Sequence, residues 1–516
     1  MQKFAIISPE IQGLAEHIPN IFLNKAWTPD NENVRMSYGA VERVKLRLKE
    51  LVDASYDKVA TTDGFPIIHY HLLTKNATGA TYLYGFTKAH IYRWNTTTKT
   101  WGTAVHTCAS DCTNWESVTY ADQVIATNNV DKVITEDGSG SFTVLGAASG
   151  LEYATGEYLT KAKYIAVFEG YLVLGYTTEN GTIYPQRIRW SDLGDETDWN
   201  TGDAGSNDTG TGDFLIGLKR YKDFLIIFRT DSIDKMWLVT SDDVFNISEI
   251  STEIGCLSSQ SIVSDKDGML FYLASDKVIR DLNMTEISTA IDPTIKLINP
   301  TYYEGIRATY IKEFGEIWWA IPYGNSATAN NLVITRSKEG NWSFQDLSIY
   351  AFGSWDRQVI YTYDTIPFST FDSWGWDFFD TVESIAGFAL DIGSDADGYT
   401  YALHGNELDD TTAYTGYFVL STDLTDGAGL PFYKRLLHMQ PIIKKESAGT
   451  LNFYIKRDNE ADWQSVGSVV LTGNSDIMIK DLPCDLRAKH FLIKVEGDTR
   501  FRFLGGFFDF YLDGGR

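Results

Sequence analysis

Between Tyr164 and Asp281 the sequence is a series of short apolar runs cut by Gly, Asp and Asn. Tyr164–Gly175, Arg187–Trp190, Phe214–Leu218, Phe224–Phe228 and Asp234–Val239 are rich in Val, Ile, Leu, Phe, Tyr and Trp. Short runs of this composition, closed off by turn residues, read as successive antiparallel strands. Four such strands make one blade of a β-propeller, and neighbouring clusters here look alike.

The same pattern extends over most of the chain. The fold expected is all-β: a propeller of six or seven blades over residues 61–410. An irregular arm with a hairpin (1–60) precedes it, and a C-terminal β-sandwich-like domain (411–516) follows. A first unit runs through Phe65–Leu73, Thr81–Phe86 and Ala89–Trp94 and reopens at Trp101; a second follows from Ser117 to Leu145. The third and fourth units form the central stretch. A fifth covers Ser261–Thr289, a sixth Ala308–Asp346, and a last begins at Ile385 and Tyr399. Asn33–Val44 alternates about Tyr38-Gly39 as a hairpin does, while Val41, Val44, Leu48 and Leu51 also fit a helical period. Pro293 fits the first turn of a short helix over Asp292–Ile298. Tyr350–Phe379 has no clean period; its Trp355, Phe368, Phe371, Trp374, Trp376, Phe378 and Phe379 read as an aromatic loop between blades or at a subunit contact.

Composition narrows the function. The 516 residues carry a formal net charge of −25, so a basic nucleic-acid surface is not expected. A net acidic surface repels a polyanion, which would suit a channel through which DNA slides without sticking, but net charge alone does not place the acids on a lumen. Four cysteines, Cys108, Cys112, Cys256 and Cys484, are too few for a disulfide scaffold. Cys108 and Cys112 can close a small loop, but free thiols are the favoured reading. The first ten residues do not read as a secretory signal, and no run reaches eighteen apolar residues, so no membrane span is expected.

No phosphate-binding loop, zincin or serine-hydrolase motif occurs, and no CxxC pair for zinc. His69 and His71 share one face of a strand but lack a recognisable third ligand. Asp395-Ala396-Asp397-Gly398 resembles the middle of a calcium loop without either anchor, and reads as a turn. The loop Gly202–Asp213 could bind a cation through its three Asp residues, though a solvated connection is favoured. Thr135–Phe142 and Ser337–Trp342 approach the Asp-box turn of propeller glycosidases without matching it. Arg187 and Arg189 share a strand face and can grip a carboxylate, most simply one of the protein's own such as Asp192 or Asp195. Asn-x-[ST] at Asn76, Asn95, Asn246, Asn283 and Asn341 reads as turn composition. No catalytic residue, cofactor or metal is expected.

One pattern is more specific. Arg189-Trp190-Ser191-Asp192-Leu193-Gly194-Asp195 with Asp198-Trp199 is followed by Gly217-Leu218, Phe224–Phe228, Ser232-Ile233, Trp237, Val244-Phe245, Ile254-Gly255-Cys256 and Ser261–Val263. This order resembles the tail hub, or nozzle, proteins of short-tailed bacteriophages, firmly over Ile188–Val263 and loosely from Ile67 to the C-terminus. The resemblance implies a propeller-containing virion protein, made in the host cytoplasm and assembled as a homo-oligomeric, hexameric ring below the portal and adaptor. Its partners would include tail fibre or needle proteins, and viral double-stranded DNA would pass through its lumen without sequence recognition. It implies a scaffold role for Arg189, Trp190, Ser191, Asp192, Gly194, Asp195, Trp199, Trp237, Gly255 and Cys256. The rival readings are a receptor- or glycan-binding tail protein using the Trp355–Phe379 aromatics, and a propeller glycosidase.

Overall fold

The computed structural model describes residues 2–7, 13–23, 27–37, 40–43, 47–50, 59–208, 212–239, 243–326, 330–355, 389–406, 413–425, 431–458, 460–472 and 476–513. The chain divides into two compact units. One comprises residues 50–212 and 350–403, the other residues 1–49, 213–349 and 404–516. The fold is all-β, built largely from small antiparallel meanders of the propeller-blade kind. The only α-helix among the described residues is Asp292–Lys296, with proline in its first turn as expected.

In the unit formed by residues 50–212 and 350–403, the first meander is His69–Thr74, Thr81–Phe86, His90–Asn95 and Thr100–Thr107. The second is Glu116–Tyr120, Gln123–Thr127, Ile134–Glu136 and Thr143–Val144. The third is Leu151–Ala154, Glu157–Phe168, Tyr171–Glu179 and Thr182–Trp190, extended by Gly205–Asp208. Ala351–Trp355, Leu390–Ser394 and Thr400–Asn406 pair late in the sequence.

Consecutive meanders pack face to face. Leu73, Tyr84 and Phe86 of the first meet Val124, Ala126 and Ile134 of the second, with Trp115 and Phe142 between them. Ile125 of the second joins Ile165, Leu172 and Leu174 of the third. The late meander in turn packs on the first: Ala351, Trp355 and Ile392 share a core with Tyr70, Leu83 and Trp101. Tyr70 Oη lies 2.8 Å from Thr400 Oγ1. A Cβ on Gly353 would fall 2.6 Å from the Cβ of Tyr70. Packing of late strands on early ones is how a propeller-type fold protects its end faces.

The second unit repeats the scheme. A fourth meander is Leu215–Tyr221, Phe224–Arg229, Ile233–Leu238 and Phe245–Ser251. A three-stranded one follows (Val263–Ser264, Leu270–Leu273, Ile279–Asp281), then Arg307–Ile311, Glu316–Ile321, Leu332–Arg336 and Trp342–Gln345. Leu270–Leu273 and Glu316–Ile321 are buried at every position. A strand covered on both faces reads as a continuous apolar run rather than an alternation, which is why these segments lack a period of two.

The same unit contains a two-sheet sandwich. In one sheet Ile477–Ile479, Tyr433–Lys445, Phe501–Asp513, Ala40–Arg43 and Val34–Ser37 lie side by side; Gln2–Ile7 also pairs with Phe501–Asp513 and Leu482–Ala488 with Tyr433–Lys445. The other runs Gln464–Leu471, Gly449–Arg457, Phe491–Gly497, Gly416–Thr422 and Asn31–Glu32. The N-terminal segment therefore differs from the irregular arm its sequence implies. Phe4, Ile6, Val34, Met36 and Val41 enter the sandwich core, and Gln2 pairs with Phe510. Val34–Ser37 and Ala40–Arg43 form the hairpin rather than the competing helix. Asn31 and Asn33 fix the segment to the Trp342–Gln345 strand: Asn33 N–H donates to Phe344 O at 2.8 Å, and Asn31 Oδ1 accepts from Phe344 N–H at 3.2 Å.

Candidate functional site

The Arg189–Trp199 pattern folds as the exit of a strand and a tight turn. Ser191 is fully buried; its Oγ accepts the Leu172 N–H at 3.1 Å and its own N–H donates to Leu172 O at 3.0 Å. Asp192 Oδ1 accepts the Asp203 N–H at 2.8 Å. Gly194 sits at φ +79°, a left-handed position suited to glycine, and donates to Gly170 O at 3.0 Å. Asp195 Oδ1 takes the Thr197 N–H and Oγ1 at 2.9 and 2.7 Å, which holds its carboxyl below the usual range. Trp190 Nε1 donates to Asp203 O at 2.9 Å and its ring covers Gly205. Trp199 lies in the core between the second and third meanders.

The guanidiniums of Arg187 and Arg189 do grip carboxylates of the protein, but not Asp192 or Asp195. Arg189 clamps Glu179 with Nε and Nη2 at 3.1 and 3.0 Å. Arg187 reaches Glu179 with Nη1 at 2.8 Å and clamps Asp208 at 2.6 and 2.7 Å. The reason is register: Arg187 stands directly opposite Asp208 on the neighbouring strand, whereas Asp192 and Asp195 lie beyond the strand end. Thr177 Oγ1 gives Glu179 a further bond at 2.9 Å. Burial pushes the Glu179 carboxyl up, but Arg189, Thr177 and Arg187 outweigh it and hold it below its ordinary value. The Arg187 guanidinium and the Nε–Nη2 edge of Arg189 are thus already engaged by the protein's own carboxylates.

Trp237 stands edge-on to Phe224, ring centres 6.3 Å apart. Gly255 is required by space: a Cβ would lie 2.2 Å from Arg229 O and 2.4 Å from the Thr230 carbonyl carbon. Gly255→Ala is expected to destabilise the protein by about 1–3 kcal/mol, read as a lowered urea midpoint, because rigid backbone must move to admit the methyl. Cys256 is fully buried beside Ser258 and Ser261, and burial pushes its thiol up to about 12. Such a thiol is inert.

His69 Nε2 and His71 Nδ1 both contact Ser117 Oγ, at 2.6 and 2.7 Å, and His71 Nε2 contacts Thr119 Oγ1 at 2.9 Å. The pair bridges the first two meanders through hydroxyls. Burial lowers the His71 pKa from 6.5 to about 4. On acidification the unfolded imidazole takes its proton first, so the stability tied to neutral His71 falls from pH 6.5 to about 4 and is flat below. Denaturant titrations at pH 7 and pH 5 should show a larger acid loss for the native protein than for His71→Asn. Equal losses would refute the assignment.

Asp395 Oδ1 accepts the N–H groups of Asp397 and Tyr399, closing a turn. The three acids of 202–213 have separate partners: Asp203 takes the Tyr171 hydroxyl at 3.0 Å, Asp208 holds Arg187, and Asp213 takes the Asp231 N–H at 3.0 Å. Gly205–Asp208 is a strand rather than loop. Trp355 is 9 % exposed and belongs to a core, so it offers no ring to a sugar. The remainder of the aromatic stretch, 356–379, lies outside the described residues.

One constellation escaped the sequence motifs. His106, at the end of the first meander, Cys108 just beyond it, and Asp131, between strands of the second, place ligand atoms all within 4.8 Å of one another. His106 Nε2 is 3.3 Å from Asp131 Oδ2. Cys112 adjoins Cys108, and the contact between the thiols, with burial, strongly disfavours the Cys108 thiolate. The only sequence signal was His106-x-Cys108-x-x-x-Cys112, which matches no standard spacing; Asp131 joins it only through the fold.

Among the described residues no helix is long and apolar enough to cross a membrane. No family model matches the chain, and no curated protein matches it. Among solved structures, BamB from Moraxella catarrhalis is similar at 12% identity and TM-score 0.34, over 66% of this chain and 83% of that one. The Pan2 WD40 domain of Neurospora crassa is similar at 9% identity and TM-score 0.35, over 67% of this chain and 91% of that one. Likeness at this level assigns the chain neither a family nor an activity.

Proposed function

We propose that this chain is a structural virion protein without enzymatic activity: a subunit of the tail hub, or nozzle, of a short-tailed bacteriophage. In this reading it forms a homo-oligomeric, hexameric ring below portal and adaptor, contacts tail fibre or needle proteins, and lines part of the conduit that retains and then passes the genome. The observation that supports it is how Arg189–Trp199 spends its functional groups. Each polar atom described above is bonded to its own backbone or to a neighbouring side chain, as a wall requires and as a reactive centre does not. The formal charge of −25 is in keeping with passive contact toward a polyanion. Ring closure multiplies modest contacts between subunits into a stable assembly.

The test is imaging. Purified full-length chain should form closed rings in negative stain, and labelled chain should map to the tail axis of intact virions. A chain that stays monomeric, binds host glycans on its own, or is dispensable for genome retention and infection would overturn the reading.

A further inference from the structure

We propose that His106, Cys108, Cys112 and Asp131 form a zinc-binding site that ties the first meander to the second. The inference is independent of the function proposed above. Its basis is geometric. Nitrogen and oxygen ligands about 2.0–2.1 Å from a tetrahedral zinc ion stand roughly 3.3 Å apart, and His106 Nε2 and Asp131 Oδ2 are separated by 3.3 Å. A thiolate sulfur about 2.3 Å from the ion would stand roughly 3.6 Å from each of them. The Cys108 sulfur already lies within 4.8 Å of both, so about 1.2 Å of closure at most brings it to that spacing. Cys112 stands outside that 4.8 Å group, its thiol beside that of Cys108 and 4.0 Å from Thr87 O, and would turn inward as the fourth donor.

The surroundings are those of a held site. Asp131 accepts the Ala109 N–H at 2.8 Å on Oδ1 and Asn128 Nδ2 at 2.8 Å on Oδ2, which fixes its carboxylate. Outer partners of this kind orient metal ligands. The cysteine loop is pinned to the turn before His90: Cys108 N–H donates to Ala89 O and Cys112 N–H to Lys88 O, both at 2.9 Å. Trp115 and Phe142 stand edge-on to the His106 ring at 6.4 Å and wall it from water. The side chains of His106 and Asp131 are 18% and 10% exposed, which leaves an entry path.

The donor set selects the ion. Two sulfurs with an imidazole and one carboxylate suit a borderline-soft cation, whereas calcium and magnesium take oxygen donors. Binding forms two metal–sulfur bonds, one metal–nitrogen bond and one metal–oxygen bond, and both thiol protons leave to solvent. No oxidant or reductant enters.

The test uses the full-length chain, reduced, stripped with chelator and titrated with Co2+ as a spectroscopic substitute for Zn2+. The expected result is one ion per chain, a thiolate-to-cobalt charge-transfer band, tetrahedral ligand-field bands, and displacement by Zn2+. Cys108→Ser and Cys112→Ser should remove the charge-transfer intensity stepwise. Asp131→Asn should weaken binding at least about 10-fold. A Cys256→Ser/Cys484→Ser double variant should bind as the native chain does. Should a ligand variant fail to fold, the native chain still decides: zinc must slow maleimide labelling of the partly exposed Cys108 and leave that of the partly exposed Cys484 unchanged. The proposal is overturned if the reduced chain takes up no metal, if binding survives loss of both Cys108 and Cys112, or if the two are joined in a disulfide whose reduction creates no metal site.

Discussion

Glu179→Ala should destabilise the third meander by about 3–5 kcal/mol, the penalty for removing one partner of a buried ion pair. The Glu179 side chain is 1% exposed and the Arg189 side chain 9%. Truncation would leave Arg189 desolvated without a counter-charge; Arg187 would keep Asp208. Most of the loss is that stranded charge and not the net worth of the pair. Accordingly, Glu179→Gln/Arg189→Met should recover much of the stability lost in Glu179→Gln alone, and a double-mutant cycle would read the coupling. The depressed carboxyl adds a pH signature. Its contribution is complete above the ordinary value of 4.5 and disappears as pH falls below that, through the lower folded value. Hydrogen exchange across Glu157–Phe168 and Tyr171–Glu179 is the suitable measurement, because two units need not unfold as one transition. An Ala variant with unchanged protection would disprove the account.

Trp199→Ala is expected to cost about 3–5 kcal/mol, the range for emptying a large aromatic site in a packed core. Trp199 is 1% exposed and lies among Leu151, Leu159, Leu172 and Ile165. Its Nε1 donates to Glu196 O at 2.8 Å, so the ring also anchors the turn that carries Asp195. Trp199→Phe separates these contributions: it keeps much of the volume and forfeits one hydrogen bond, about 1 kcal/mol. If Ala and Phe variants lost equal protection in the second and third meanders, packing would not be the dominant role.

The strands were legible because turns are punctuated locally. Gly194 at positive φ and the Asp195 cap announce a strand exit without reference to the rest of the chain. What the sequence hid was partnership at a distance. Arg187 and Arg189 were recognisable as carboxylate grips, but their partners depended on register and on a bulge between Gly175 and Thr177. Nearness in sequence points instead to Asp192 and Asp195, which lie beyond the strand end. Gln2–Ile7 has only Phe4 and Ile6 as an alternating signal, too short to specify a strand before its partner is known. His106, Cys108 and Asp131 lie on two meanders, and no linear spacing expresses that encounter.

The pairing of Gln2–Ile7 with Phe501–Asp513 has a consequence for biogenesis. The early strand leaves the ribosome long before its hydrogen-bonding complement is synthesised. Phe4 and Ile6 must wait until Phe501–Asp513 is made, while the intervening meanders can collapse on local contacts. The sandwich is thus a late-maturing element. A nascent chain halted before Phe501 would present unsatisfied edges and apolar side chains to chaperones and to other copies of itself.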